Sequence, residues 1–216
     1  DYFYDTFGRS SISGDGRRLK IYVNHPYCSE SAINHMGAFW DLESDEGIFC
    51  NGDGINASYH VSLDIVGHEI THGLISHTAE LEKGGEEALG LMESFCDIFG
   101  KMVEYHNHPY GFTWQVGYDV FFSGAIRDLS NPKFYDNFPH GNPYPNTYKS
   151  ILWNSCENFD IVTSNYCRGA ILNYWFYLLS EGGNGTNDNG YQYSVYGIGH
   201  DHAATIAYLT LTGYLN

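Results

Sequence analysis

The stretch "LDIVGHEITHGLI", Leu63 to Ile75, constrains this chain more than any other part of it. Val61, Ile65, Val66, Ile70 and Leu74 recur at helical spacing, so one long helix is expected from about Ser58. On a helix, His68 and His72 stand one turn apart and project from one stripe, roughly 6 Å from each other, close enough to share a metal ion. Neutral imidazole nitrogens suit zinc. Glu69 lies about 100° around the same helix, beside the ion rather than on it, which is the position of a general base.

After the breaker "KGGEE" a second periodic segment runs from about Glu87 to Tyr105, with Leu91, Phe95, Ile98, Phe99 and Met102 on one face. It is expected to be a second helix, antiparallel to the first. Glu93, Asp97 and Glu104 fall within about 40° of one stripe of it. Three acids on one face of an apolar helix are explained if Glu93 is a third zinc ligand and Asp97 accepts the other N–H of a ligand histidine. Three protein ligands leave zinc an open position for water, as catalytic sites require. Glu69 could then assist attack of zinc-bound water on a carbonyl and pass the proton to a leaving amine, which is peptide hydrolysis.

Composition narrows the partners. The chain has 216 residues, 43% of them hydrophobic, enough for a real core. Its formal charge is −16, from 26 acidic and 10 basic residues, and the largest basic cluster is "RRLK". Nucleic acid and anionic membranes are therefore poor partners. No apolar run of about eighteen residues is present, so no membrane span is expected. None of the five cysteines forms a Cys-x-x-Cys pair. Cys96 lies within the second helix and reads as a buried free thiol, leaving Cys28, Cys50, Cys156 and Cys167 for two disulfides. Cys156 and Cys167 bracket one short segment and suggest one of those bonds. Disulfides imply an exported protein.

The first fifty-odd residues read as strands ("LKIYVNH", "GIFC") and turns, and residues 107–165 as short elements and long loops. "RGAILNYWFYLL" reads as a third helix, "EGGNGTNDNG" as a flexible surface loop and "HAATIAYLTLTGYL" as a fourth helix. His200 and His202 read as surface residues. The expected class is α+β, divided into a β-rich part (1–58), a central helix (59–82) and a mainly helical part (83–216).

"DIVGHEITHG" followed by "MESFCDIFG", with "DYFYDTFGR" upstream and "GAIRDLSNP" downstream, resembles the thermolysin family of zinc endopeptidases over nearly the whole chain. The resemblance implies a thermolysin-like fold: a β-rich N-terminal part, a central zinc-binding helix and a mostly helical C-terminal domain. It also implies a family domain that extends beyond both ends of this sequence. Carried over by position, it gives zinc ligands His68, His72 and Glu93, general base Glu69, and Asp97 bonded to a ligand. Arg127 would contact a substrate carbonyl oxygen, and Ile65 and Ile126 would line an apolar pocket, implying cleavage before large hydrophobic residues. The "AFW" edge starting at Ala38 would hold the substrate backbone. Asp64, Glu104 and Asp119 are what remains of the family's paired calcium site, enough carboxylates for one calcium ion but hardly for two. A monomeric enzyme acting on peptides or proteins, secreted or in the cell envelope, is implied.

Some positions depart from the family pattern. Counted back without gaps from the third helix, the family's transition-state histidine is replaced by Tyr166. A phenol can donate to an oxyanion, but losing one such donor typically lowers turnover by about 100- to 1000-fold. Two asparagines that hold substrate become Gly37 and Met92, and a tyrosine that assists the histidine aligns near Lys83. The alternative reading is therefore a zinc-binding relative with impaired catalysis, serving as a binding or inhibitory module.

Overall fold

The structure is a computed structural model that describes residues 1–25, 28, 37–137 and 143–215. It is built around the second periodic segment, helix α3 (Glu86–Asn107), whose Phe95, Ile98, Phe99 and Met102 are fully buried. The stretch with the two histidines forms α2 (Leu63–Ser76), which packs along α3, and α5 (Ile161–Glu181) packs on another face of α3. Both crossings pass through glycine. A Cβ on Gly100 would lie 2.4 Å from the Asp64 carbonyl oxygen, and one on Gly90 would lie 2.7 Å from the Arg168 Cβ. The helices therefore approach closer than any side chain permits, and short side chains from α2 and α3 can meet.

The N-terminal β part is small. Strands β1 (Ile21–Val23), β2 (Ala38–Asp41) and β3 (Glu46–Phe49) form a sheet in the order β1-β3-β2, with β1 parallel and β2 antiparallel to β3. In this sheet Ala38 pairs with Phe49 and Trp40 with Gly47, which makes β2 an edge strand among the described residues. Trp40 docks on α2, where a Cβ on Gly73 would lie 2.6 Å from the indole. Two short strands, β4 (Gln115–Val116) and β5 (Arg127–Asp128), pair antiparallel with Val116 opposite Arg127.

Some expectations require correction. The first residues are not all strand and turn: Tyr2–Phe7 form helix α1, because Asp1 caps its N-terminus and Gly8, at φ 68°, ends it. Tyr2 and Phe3 are thereby buried, with Phe3 against Phe99 at 5.5 Å between centroids. The third helix begins at Ile161 rather than Arg168, since the Asp160 carboxylate accepts from Val162 and Thr163 N–H and starts it a turn or more earlier. "EGGNGTNDNG" is not a plain loop. Its first half is strand β6 (Gly182–Thr186), paired antiparallel with β7 (Gln192–Tyr196). The last helix, α6, covers His200–Leu209 and closes on a π turn. His202 is exposed, whereas His200 is half-buried, its ring stacked on Tyr105 at 4.2 Å and on Trp114 at 5.3 Å.

The disulfides pair Cys28 with Cys50 and Cys156 with Cys167, and Cys96 is a buried free thiol. The second bond ties the turn after helix α4 (Ile151–Ser155) to α5, at the residue following Tyr166.

The glycine contact at the α2–α3 crossing gives a test by sign. In an isolated helix, Gly100→Ala would stabilise by about 1 kcal/mol. Here the clash with Asp64 should win and lower stability by about 1–3 kcal/mol in urea unfolding. A stabilised variant would mean that the helices do not approach so closely.

Candidate metal centre

Residues one turn apart on α2 meet residues one turn apart on α3. His68 Nε2 lies 3.2 Å from His72 Nε2 and 3.3 Å from Glu93 Oε2, and His72 Nε2 is 3.7 Å from the same oxygen. Ligands held about 2.0–2.2 Å from a zinc ion at the tetrahedral angle lie about 3.3–3.6 Å apart, so this triangle has the right size for one ion. Glu93 Oε2 is also buried without a hydrogen-bond partner. Orphaned buried oxygens are rare because desolvating them is costly, and a bound cation would satisfy this one.

The tautomer of His68 is fixed by Asp97. His68 Nδ1 lies 2.9 Å from Asp97 Oδ1, so in the neutral ring Nδ1 carries the proton and donates it, and Nε2 is the nitrogen turned to the triangle, free to bind an ion in place of a second proton. Asp97 also accepts from Arg127 Nε at 2.8 Å, Arg127 Nη2 at 2.6 Å and Asn173 Nδ2 at 2.9 Å. Asn173 is held in turn by Ser94 Oγ, which donates to its Oδ1 at 2.6 Å. Sequence periodicity identified Asp97 but not Asn173, which lies on the distant helix α5.

The local field favours positive charge at the triangle. Burial opposes a charged His68, but its bond to Asp97 and the Glu93 carboxylate beside it outweigh that and hold the ring up to about 10. Burial pushes His72 down to about 4, against the pull of Glu93. Burial works against ionised Glu93 and Asp97 too. His68 and His72 hold the first below the usual carboxylate range, and Arg127 with His68 holds the second well below it. Electrostatics strong enough to hold a proton on His68 would also attract a divalent cation. Glu69, buried beside this group, is pushed up to about 7 by burial, against the pull of His68.

Ligand-capable atoms of Cys96 lie within 4.8 Å of those of His68 and His72, a neighbour that the sequence reading treated only as core. Glu93 is the stronger candidate. It approaches more closely and is ionised, whereas burial pushes the Cys96 thiol well above its ordinary range and keeps it protonated.

The remaining candidates fall around this centre. Tyr166 is partly buried, with its ring 6.4 Å from that of His68 and with the Arg127 guanidinium 4.0 Å above its face. Burial raises its phenol well above the ordinary value, so it is neutral and able to donate. Ile65 is buried and Ile126 half-buried, both in the main apolar cluster. Ala38 is on the edge strand β2. Lys83 lies on an exposed turn with its ammonium on Glu80. Asp64, Glu104 and Asp119 line a single cavity of about 830 Å³. The first two face Lys101.

Residues 1–76 match the family model described as thermolysin metallopeptidase, catalytic domain, and residues 82–216 the one described as thermolysin metallopeptidase, alpha-helical domain. Bacillolysin of Bacillus cereus is 30% identical over 219 residues, covering 99% of this chain and 34% of the relative. Thermolysin of Alicyclobacillus acidocaldarius subsp. acidocaldarius is 29% identical over 222 residues, covering 100% of the chain and 36% of the relative. The chain thus spans about a third of the length of these curated relatives. Among solved structures, the precursor of protealysin, a metalloproteinase from Serratia proteamaculans, superposes with a TM-score of 0.73 at 22% identity, over 99% of this chain and 62% of that one. At that identity the likeness bears on the fold, which it shares.

The Asp97 network should behave as a unit. Arg127→Gln leaves a buried carboxylate short of its main countercharge and should destabilise by about 3–5 kcal/mol in chemical denaturation. Combined with Asp97→Asn, the loss should be clearly smaller than the sum of the single losses. Additive losses would mean that the two side chains do not interact.

Proposed function

The chain belongs to the thermolysin metallopeptidase family, and from that premise we propose that it is a zinc-dependent endopeptidase cleaving peptide bonds on the N-terminal side of large hydrophobic residues. The observation that carries this reading is the triangle of His68, His72 and Glu93, with an orphaned carboxylate oxygen at one corner and a buried carboxylate, Glu69, beside it. His68, His72 and Glu93 would hold the ion, and Asp97 would orient His68. Zinc, when bound, supplies a Lewis acid that acidifies water and polarises a carbonyl.

The chain's own residues supply the rest. Glu69, drawn up toward neutral pH by burial, can take a proton from water and return it to the leaving amine. Peptide would lie along the edge of β2 at Ala38, pairing by backbone hydrogen bonds. Ile65 and Ile126 would form the apolar wall for the side chain after the scissile bond. Arg127, held by Asp97 and stacked over Tyr166, would face the substrate carbonyl, with the Tyr166 hydroxyl as the neutral donor to the oxyanion. The two disulfides support a secreted or cell-envelope protein. No helix among the described residues is long and apolar enough to cross a membrane.

A second reading, a catalytically impaired zinc-binding module, is favoured by one observation: a phenol already stacked against Arg127 is a weaker oxyanion donor than an imidazolium. Cleavage of a quenched peptide with Leu or Phe after the scissile bond separates the two. For the peptidase, zinc-loaded chain should cleave it, Glu69→Gln should lose at least about 100-fold with zinc content unchanged, and Tyr166→Phe should lose about 10²- to 10³-fold in kcat. Stoichiometric zinc with no cleavage above the Glu69→Gln background would support the module instead.

A further inference from the structure

Lys101, on α3, is 1% exposed, and so complete a burial of a lysine requires partners. Its Nζ donates to the Gln115 carbonyl oxygen at 2.8 Å, forms a close ion pair with Glu104, and lies 3.9 Å from Asp64 Oδ2. The Phe112 ring covers it, with its centroid at 5.3 Å. These oxygens come from three elements, α2, α3 and β4, and two carboxylates with a backbone carbonyl are the donor types that a hard cation selects. Asp64 is otherwise fully engaged, accepting from the Gly117 N–H at 2.7 Å, the Ile65 N–H at 2.9 Å and the Ser62 hydroxyl at 2.5 Å.

We propose that the Lys101 ammonium serves as a built-in cation at this corner, taking the place of the calcium ion that thermolysin relatives typically hold, so that the chain is stable without calcium there. The residues do not fit calcium. An ion within coordinating distance of both Asp64 and Glu104 would sit against the ammonium, and like charges a few ångströms apart in a buried corner repel strongly. Calcium also takes six to eight oxygens, whereas here one carbonyl and one carboxylate already receive the lysine's protons. Asp119, across the cavity, is exposed and faces solvent instead. The ammonium does the mechanical work of a calcium ion. It ties the first turn of α2, one turn before His68, to α3 and to β4, whose partner strand carries Arg127. This inference does not depend on the endopeptidase reading.

Thermal unfolding of the zinc-loaded chain tests it, with calcium titrated through roughly 0.1–10 mM, the range of weak extracellular sites. The midpoint of the unmodified chain should not move. Lys101→Met keeps the apolar stem but removes the charge, leaving the buried Asp64 and the half-buried Glu104 without their countercharge. Its midpoint should fall by roughly 6–20 °C and recover with added calcium, which can now enter. Two results would overturn the proposal: a saturable rise for the unmodified chain that Asp119→Asn abolishes, or a Lys101→Met chain as stable as the original and indifferent to calcium. If Lys101→Met folds at no calcium concentration, the titration of the unmodified chain alone decides.

Discussion

The structure depends on one buried carboxylate. Asp97 takes four N–H donors, from His68 on α2, from two nitrogens of Arg127 on β5 and from Asn173 on α5, and itself sits on α3. An isolated carboxylate in such a place would be prohibitively costly, and what makes it tolerable is that every donor points inward. The same bonds orient an imidazole, aim a guanidinium and join four elements. Function and fold therefore rest on the same atoms, and the side chains around the centre have little freedom to drift.

A second ionic contact mirrors the first. Asp97 on α3 meets His68 on α2, and one turn along each helix Lys101 meets Asp64. Between them the helices touch through Gly67 and Gly100, where a Cβ on Gly67 would come within 2.9 Å of the Gly100 Cα. The close crossing lets side chains as short as aspartate and histidine reach across. The opposite charges in turn offset the desolvation that close packing imposes. Glu93 sits on the same stripe of α3 as Asp97, which is why a third oxygen arrives beside the two imidazole nitrogens.

What was legible in the sequence was local. His68, Glu69 and His72 follow from helical spacing, as do Glu93 and Asp97 once a second helix is inferred, because the period of 3.6 residues fixes which side chains share a face. The roles of Asn173 and Ser94 were not legible, since only the α3–α5 packing brings Asn173 to Asp97 and to Ser94. Lys101 was passed over for a similar reason. Its spacing from Glu104 on one helix is local, but only the packing of α2 and β4 on α3 brings Asp64 and the Gln115 carbonyl to the same ammonium. The hairpin in "EGGNGTNDNG" was missed because its first strand has almost no side chains to signal a strand. Its pairing is dictated by the partner "QYSVY". Helix α1 did carry its signal, an aspartate cap and a terminating glycine, in a segment short enough to be taken for turns.

In the proposed centre His68, His72 and Glu93 hold a single zinc ion while Cys96 remains a protonated wall of the core. X-ray absorption at the zinc edge of the zinc-loaded chain reports the ligand atoms directly. One ion per chain is expected, with nitrogen and oxygen neighbours at about 2.0–2.2 Å and no sulfur. A sulfur neighbour at about 2.3 Å would place Cys96 on the metal and contradict it, as would zinc bound without an ordered shell.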